Sequence, residues 1–308
     1  MYEPFFDAVQ QSDSTIRKQT LGIPVDNYLK AHTKCVCAAV LRTDGSWFVT
    51  ASNDGSTTIG RVDGTGAPVT LTSSTSDPAR SSCRSACTQD GAHVAVSRND
   101  VLEVWLADGS RPPVVYGHGG TVGSLSFSRD GSRLLTTSYD GKVRIFSVNG
   151  GTQVEHLALE GGCQKMPLAA WSPDESTLVT AGCSVVRVAP SGNSRAARRV
   201  GKHDGFVNDL AFSPNGSVFV TAGADGTRIW SDASGTSPLR LPIPNGTRDP
   251  GAAVKAAFSS DGSLLAIGYE ERDVEIWPGS GRGVPVALPS FGRGIRTLQF
   301  SAEGGTSW

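Results

Sequence analysis

No apolar run in this chain of 308 residues approaches the ~18–20 residues that a membrane-spanning helix requires. Charge of one sign is equally scarce. The 28 Lys and Arg against 29 Asp and Glu leave a formal net charge of -1, a field too weak to point to nucleic acid or an acidic membrane as partner. The nearest approach to a basic patch is Arg195, Arg198, Arg199 and Lys202 in "RAARRVGK", read as a solvated outer strand in preference to a phosphate-binding stripe. The opening "MYEPFFDAVQQSDS" has acids where a secretory signal has a basic region and an apolar core. The cytoplasm is therefore the expected compartment, and "NGS" at Asn215 and "NGT" at Asn245 read as turns, not glycosylation sites.

Cysteine is sparse too. Cys35, Cys37, Cys83, Cys87, Cys163 and Cys183 lack the paired spacing of a zinc site, and the chain is not the short secreted type that disulfides staple. All six are expected to be free thiols, with Cys87 buried. No "GxSxG", "GxxxxGK[ST]" or "HExxH" occurs, and "PGSGRG" (278–283) follows a strand without opening a helix, so no cofactor and no metal is expected. Aromatics are only 7% and charged residues 19%, whereas glycine reaches 37 residues. That balance suits short strands joined by many tight turns.

What is present is a repeat. The dipeptides Asp44-Gly45, Asp90-Gly91, Asp130-Gly131, Asp174-Glu175, Asn215-Gly216, Asp261-Gly262 and Glu303-Gly304 follow one another at intervals of 40–46 residues. Asp-Gly and Asn-Gly favour short hairpins because both turn residues tolerate positive φ. Three residues before each turn stand Leu41, Cys87, Phe127, Trp171, Phe212, Phe258 and Phe300, all apolar, as an inward-facing strand position requires. Each unit reads as four short strands, the pattern of a propeller blade. The fold class is therefore all-β, with six complete four-stranded blades and an incomplete seventh.

At these residues the chain resembles the WD40-repeat family over about residues 25–308. That pattern sets Gly-His before a blade's first strand and Trp-Asp at the end of its third. Here the first half stands at His32, Gly117-His118 and His203, and the second at Trp105, Phe146, Trp230 and Trp277. The regularity of "FSPNGSVFVTAGADGTRIW" is similar to repeat arrays of bacterial signalling proteins. Implied blade units run over about 32–71, 79–116, 118–157, 164–200, 203–241 and 252–288, with a partial unit at 294–308. Residues 1–24 form an extension, poorly ordered or a short helix, and 25–30 is a candidate closing strand.

Asp54, Asp140 and Asp225 each follow His32, His118 and His203 by 22 residues. Such a pair invites a catalytic reading, but three copies argue for architecture, since an active site needs one. The resemblance implies a hydrogen-bonded tetrad of this His, a second-strand hydroxyl, this Asp and the Trp. Ser52 and Ser138 are assigned the hydroxyl position. Departures are expected at Gly60 and Phe146 in place of Trp, and at Gly223 in place of the hydroxyl. The second unit keeps Ser97, Asp100 and Trp105 without a His, the fourth lacks Asp and Trp, and no unit is expected to be complete.

The resemblance implies a non-catalytic platform that binds protein or peptide partners through its loops. Contact candidates are Asn53, Tyr139 and Tyr269 beside the turn Asp or its equivalent, and Lys34, Arg80 and Phe206 in the loops before first strands. The alternatives are a detached sensor or shortened product of a bacterial signalling protein, and, less favoured, a propeller enzyme. An incomplete seventh blade implies an unpaired edge and self-association.

Overall fold

Between Thr88 and His93 the chain reverses in the way that recurs throughout. Gly91 N donates to Thr88 O at 2.9 Å, and Thr88 N donates to His93 O at 3.0 Å. The Thr88 hydroxyl donates to Asp90 Oδ1 at 2.6 Å, Ala92 N donates to the same oxygen at 2.9 Å, and His93 N donates to the hydroxyl at 3.0 Å. Side chains thus satisfy the backbone groups that a tight turn leaves over. The same hydroxyl bond forms from Ser128 to Asp130, Ser172 to Asp174, Ser213 to Asn215 and Ser259 to Asp261, at 2.6–2.9 Å. Only the second turn residue has positive φ, at Gly91, Gly131, Gly216 and Gly262, and at Glu175, where φ is 57°. The expected pair of positive φ values is therefore corrected, because the Asp stays outside the left-handed region and uses its side chain as acceptor. The turns at 44–45 and 303–304 lie outside the described residues.

This computed structural model describes residues 32–34, 36–41, 46–73, 83–150, 155–158, 167–182, 184–193, 196–231, 237–242, 253–269, 274–288, 295, 298–300 and 306–307. The extension 1–24, the candidate strand 25–30 and Arg80 fall outside them. The chain divides into two compact units, from Tyr2 to His156 and from Leu157 to Trp308.

Blade one is β1 (Val36–Leu41), β2 (Trp47–Ser52), β3 (Ser56–Arg61) and β4 (Val69–Thr72). Blade two is β5 (Cys83–Cys87), β6 (His93–Arg98), β7 (Val101–Leu106) and β8 (Val114–Gly117). Blade three is β9 (Val122–Phe127), β10 (Arg133–Ser138), β11 (Lys142–Ser147) and β12 (Glu155–Ala158). Blade four is β13 (Leu168–Trp171), β14 (Thr177–Gly182), β15 (Val185–Pro190) and β16 (Arg198–Lys202). Blade five is β17 (Val207–Phe212), β18 (Phe219–Gly223), β19 (Gly226–Trp230) and β20 (Leu239–Arg240). Blade six is β21 (Ala253–Phe258), β22 (Leu264–Tyr269), β23 (Val274–Pro278) and β24 (Val286–Ala287). The last pair, β25 (Gln299–Phe300) and β26 (Thr306–Ser307), forms a two-stranded sheet. Each four-stranded sheet runs in sequence order, and no α-helix occurs among the described residues. The fold is a WD40-type β-propeller in class.

Second and third strands are covered on both faces, which is why "VTAS", "VAVS" and "FVTAG" are dense in small and β-branched residues. In the first unit, Val49, Ile59, Val94, Val96 and Trp105 share one cluster across blades one and two. In the second unit, Val179, Val186, Val207, Phe219 and Trp230 join blades four and five. The residues three before each turn are less enclosed than expected. Cys87, Phe127, Phe212 and Phe258 are half-buried at the mouths of their hairpins, where each packs on a cluster from its rim. Cys87, expected to be buried, is half-buried and not enclosed.

Candidate functional site

Blade five shows the recurring polar constellation in full. The Trp230 indole Nε1 donates to Thr221 Oγ1 at 2.9 Å, Thr221 Oγ1 lies 2.7 Å from His203 Nε2, and His203 Nδ1 lies 2.5 Å from Asp225 Oδ1. An ionised carboxylate only accepts, so Nδ1–H goes to Asp225, which leaves Nε2 to accept the Thr221 hydroxyl proton. Arg228 holds both carboxylate oxygens, at 2.9 and 2.6 Å, and also contacts His203 Nδ1. The amide of Asp204 adds a donor to Asp225 at 2.8 Å. A Cβ at Gly223 would stand 2.6 Å from His203 Nδ1, so glycine there makes room for the ring.

These distances correct two expectations. The hydroxyl partner is Thr221, and by the same register Thr50 and Thr136, not Ser52 or Ser138. Blade five therefore lacks nothing, and Gly223 marks no missing hydroxyl. Strand alternation explains the slip, because positions two apart share a face and the contact falls one pleat further from the turn. Ser52 and Ser138 instead donate to the loop carbonyls of Lys34 and Gly120, at 3.1 and 2.7 Å, and accept the amides of Asp54 and Asp140, each at 3.2 Å.

In blade three, Phe146 has no N–H to give. Arg144 Nη1 stands 2.7 Å from His118 Nδ1 and Nη2 stands 2.6 Å from Asp140 Oδ2. A guanidinium only donates, so Nδ1 is the acceptor and the ring proton sits on Nε2, 3.0 Å from Thr136 Oγ1. The hydroxyl accepts it through one of its two lone pairs. Blades three and five both carry the Arg, at 144 and 228, and the imidazole of His118 is in the opposite tautomer to that of His203, whose Nδ1 faces the Asp225 carboxylate. In blade one, Ser56 takes the intermediate place. Its Oγ is 2.8 Å from His32 Nδ1 and donates to Asp54 at 2.6 Å, while His32 Nε2 is 2.8 Å from Thr50 Oγ1.

Blade two does not assemble its remnant. Asp100 is exposed, and Ser97 Oγ and Trp105 Nε1 are buried without partners. Val96 stands where blade five has Thr221, facing Glu103 as Thr221 faces Arg228. Arg98 instead pairs with Glu103 at 3.1 Å and donates to Ser56 O and Thr57 Oγ1 of blade one, while Ser73 donates to Glu103 at 2.6 Å. Blade six uses Glu275, whose Oε2 accepts from the Trp277 indole and the Tyr269 hydroxyl, both at 2.9 Å. The arginines and glutamates two residues before each closing aromatic were missed from sequence. The signal was a charge inside an otherwise apolar third strand.

Electrostatics follow burial. Burial and the neighbouring Arg144 guanidinium hold His118 down to about 4, and burial also lowers His32 and His203. For Asp140, partial burial opposes ionisation, but bonds from Arg144 and the amides of Gly119 and Lys142 prevail and hold it at about 2. Asp54 and Asp225 are likewise held well below the usual carboxylate range, by bonds that outweigh burial. Near neutral pH these are neutral imidazoles and bound carboxylates. In blades one, three and five the His and Asp side chains are bonded to groups of the same blade and the loop that leads into it. Among the described residues, no three His, Cys, Asp or Glu side chains gather as a metal-binding group.

The contact candidates separate. Tyr139 and Phe206 stand out of the surface at 56% and 48% exposure; Lys34 is exposed and Asn53 half-buried. Tyr269 is a correction. It is 4% exposed and its hydroxyl donates to Glu275, because it is the last residue of β22, the place that Ser138 holds in β10, one position short of the turn site of Tyr139. A cleft of about 390 Å³ opens beside Phe206, lined by Ser184, Lys202, His203, Asp204 and Gly205 as well.

A family profile for WD40 (WD domain, G-beta repeat) matches residues 24–59, 109–147 and 197–231. The chain is 28% identical over 186 residues to a guanine nucleotide-binding protein subunit beta of Nicotiana tabacum, covering 55% of this chain and 48% of that one. It is 25% identical over 176 residues to actin-interacting protein 1-2 of Arabidopsis thaliana, covering 56% and 28% respectively. The matched region thus spans about half the length of the first of these relatives or less. The crystal structure of RRP9 WD40 repeats superposes with a TM-score of 0.63 at 23% identity, covering 89% of this chain and 86% of that one. The structure of U3-55K gives 0.61 at 23%, covering 89% and 87%. Blade count, strand order, the His–Thr–Asp–Trp chain and these matches converge: the chain carries WD40 repeats and has the WD40-type β-propeller fold.

Proposed function

We propose that the protein is a non-catalytic platform that holds a protein or peptide partner on its loops. The observation that carries this reading is the contrast at the turn of blade three. Asp140 is engaged by Arg144 and two amides, while its neighbour Tyr139 is 56% exposed. Recurring His and Asp side chains are committed to one another, so catalysis would have to draw on other groups. An exposed aromatic on a fixed turn is what a partner can use, since Tyr anchors combine large area with little ordering cost. The relatives named above give no support to a bacterial sensor origin. The test is quantitative capture of partners by tagged wild-type protein and by Tyr139→Ala. Loss of a defined partner at unchanged melting supports the platform. Equal capture by both forms removes Tyr139 from the surface used.

A further inference from the structure

The corner between blades four and five is more cationic than the chain as a whole. On β16, Arg198, Arg199 and Lys202 are exposed. Arg240 is exposed on β20, opposite Arg228, and its charge reaches His203. Arg228 is neutralised by Asp225, which leaves Asp204 as the carboxylate lining the cleft. Lys202 and Phe206 lie at the two ends of one short loop and line the same cleft, with the aromatic ring half exposed. Gly205 lets that loop lie against the turn of blade five, since a Cβ there would come within 2.8 Å of Ala224 Cβ. The cleft thus sets the Phe206 ring beside Lys202, with Arg240 within electrostatic reach of His203 on its wall, in a protein whose net charge is only -1.

We infer that this cleft takes an acidic peptide segment, with an apolar side chain against Phe206 and flanking Glu or Asp carboxylates toward Lys202 and Arg240. The inference rests on the platform reading and names the chemistry of its partner. Phe206 supplies buried area, and the cations supply register and encounter rate in a form that salt weakens. Asp204 sets a limit on the pose, since a carboxylate placed beside it would be repelled.

The test is fluorescence anisotropy of the intact protein with a fluorescein-labelled Glu-Glu-Phe-Glu-Glu peptide, compared with Lys-Lys-Phe-Lys-Lys and Glu-Glu-Ala-Glu-Glu. Binding of the first peptide in preference to both others is expected, with Lys202→Glu and Phe206→Ala each weakening it by about tenfold. Lys202→Arg should bind like wild type, and added salt should weaken the complex. Lys202 is a surface residue, so its variants should keep the wild-type melting temperature and report on binding alone. Equal binding of the basic peptide, no binding, indifference to Lys202→Glu, or binding only to phosphatidylserine vesicles would overturn the acidic-peptide assignment. If Tyr139→Ala abolishes capture of a partner while Lys202→Glu does not, the platform stands and this cleft is not its site.

Discussion

The Trp230 indole donates to Thr221 Oγ1 at 2.9 Å, and the same hydroxyl lies 2.7 Å from His203 Nε2. One hydroxyl therefore connects two buried rings. Thr221→Val keeps the shape and leaves both ring nitrogens unpaired, at a cost of about 3 kcal/mol. Thr136→Val in blade three orphans only His118, because Phe146 makes no demand, and should cost about 1–2 kcal/mol. Urea unfolding of the two variants checks the order, and a larger loss at Thr136 would refute the bridging role of the Thr221 hydroxyl.

Trp105 offers the complementary comparison. Its indole N–H is buried without a partner, whereas that of Trp230 is bonded. Replacing each by Phe removes similar volume, but only Trp230→Phe also breaks a hydrogen bond. Trp105→Phe should be milder by about 1 kcal/mol. Equal losses in thermal melts would show that the indole of Trp105 is satisfied in solution.

Acid should weaken the fold in two stages. His118 titrates near 6.5 when unfolded and is held at about 4 in the fold. Between those values the unfolded chain binds more protons, so stability falls as pH drops, by about 3 kcal/mol for this ring. Asp140, held at about 2 against 3.8, adds a loss on further acidification below about pH 4. Urea midpoints measured from pH 7 to pH 4 should decline, and His118→Gln should flatten the first stage. A midpoint independent of pH in that window would be inconsistent with neutral buried histidines.

Glu175 occupies a left-handed position, φ 57°, where the matching turns have glycine. Glu175→Gly relieves that strain against a larger unfolded-state entropy and should raise stability by about 0.5 kcal/mol. A lowered melting temperature would mean that the Glu side chain contributes more than its backbone costs.

Much of the fold was legible because turn chemistry is local. Asp90-Gly91 and its counterparts mark hairpins by residue type alone, and their spacing counts the blades. The His-to-Asp interval was equally visible, since both ends lie in loops of fixed length. The hydroxyl was not, because Thr221 and Gly223 share a strand face and only three-dimensional packing decides which one meets the ring. Tyr269 was misplaced by one position. It ends β22 as Ser138 ends β10, so its ring enters the core and bonds Glu275, whereas Tyr139 stands one residue further along, at the turn, and stays out. A slip of one residue along a strand moves a side chain to the other face.

Adjacent residues test the central claim, that the recurring carboxylates hold the scaffold while the aromatics beside them serve a partner. The measurement is the urea midpoint of Asp140→Asn set against that of Tyr139→Ala. Asp140→Asn leaves the Arg144 guanidinium, 2.6 Å away and largely enclosed, without its countercharge and should cost about 2 kcal/mol or more. Tyr139→Ala should shift the midpoint by no more than about 0.5 kcal/mol. An unchanged midpoint for Asp140→Asn together with a large loss for Tyr139→Ala would contradict the account, placing the aromatic in the core and freeing the carboxylate for chemistry.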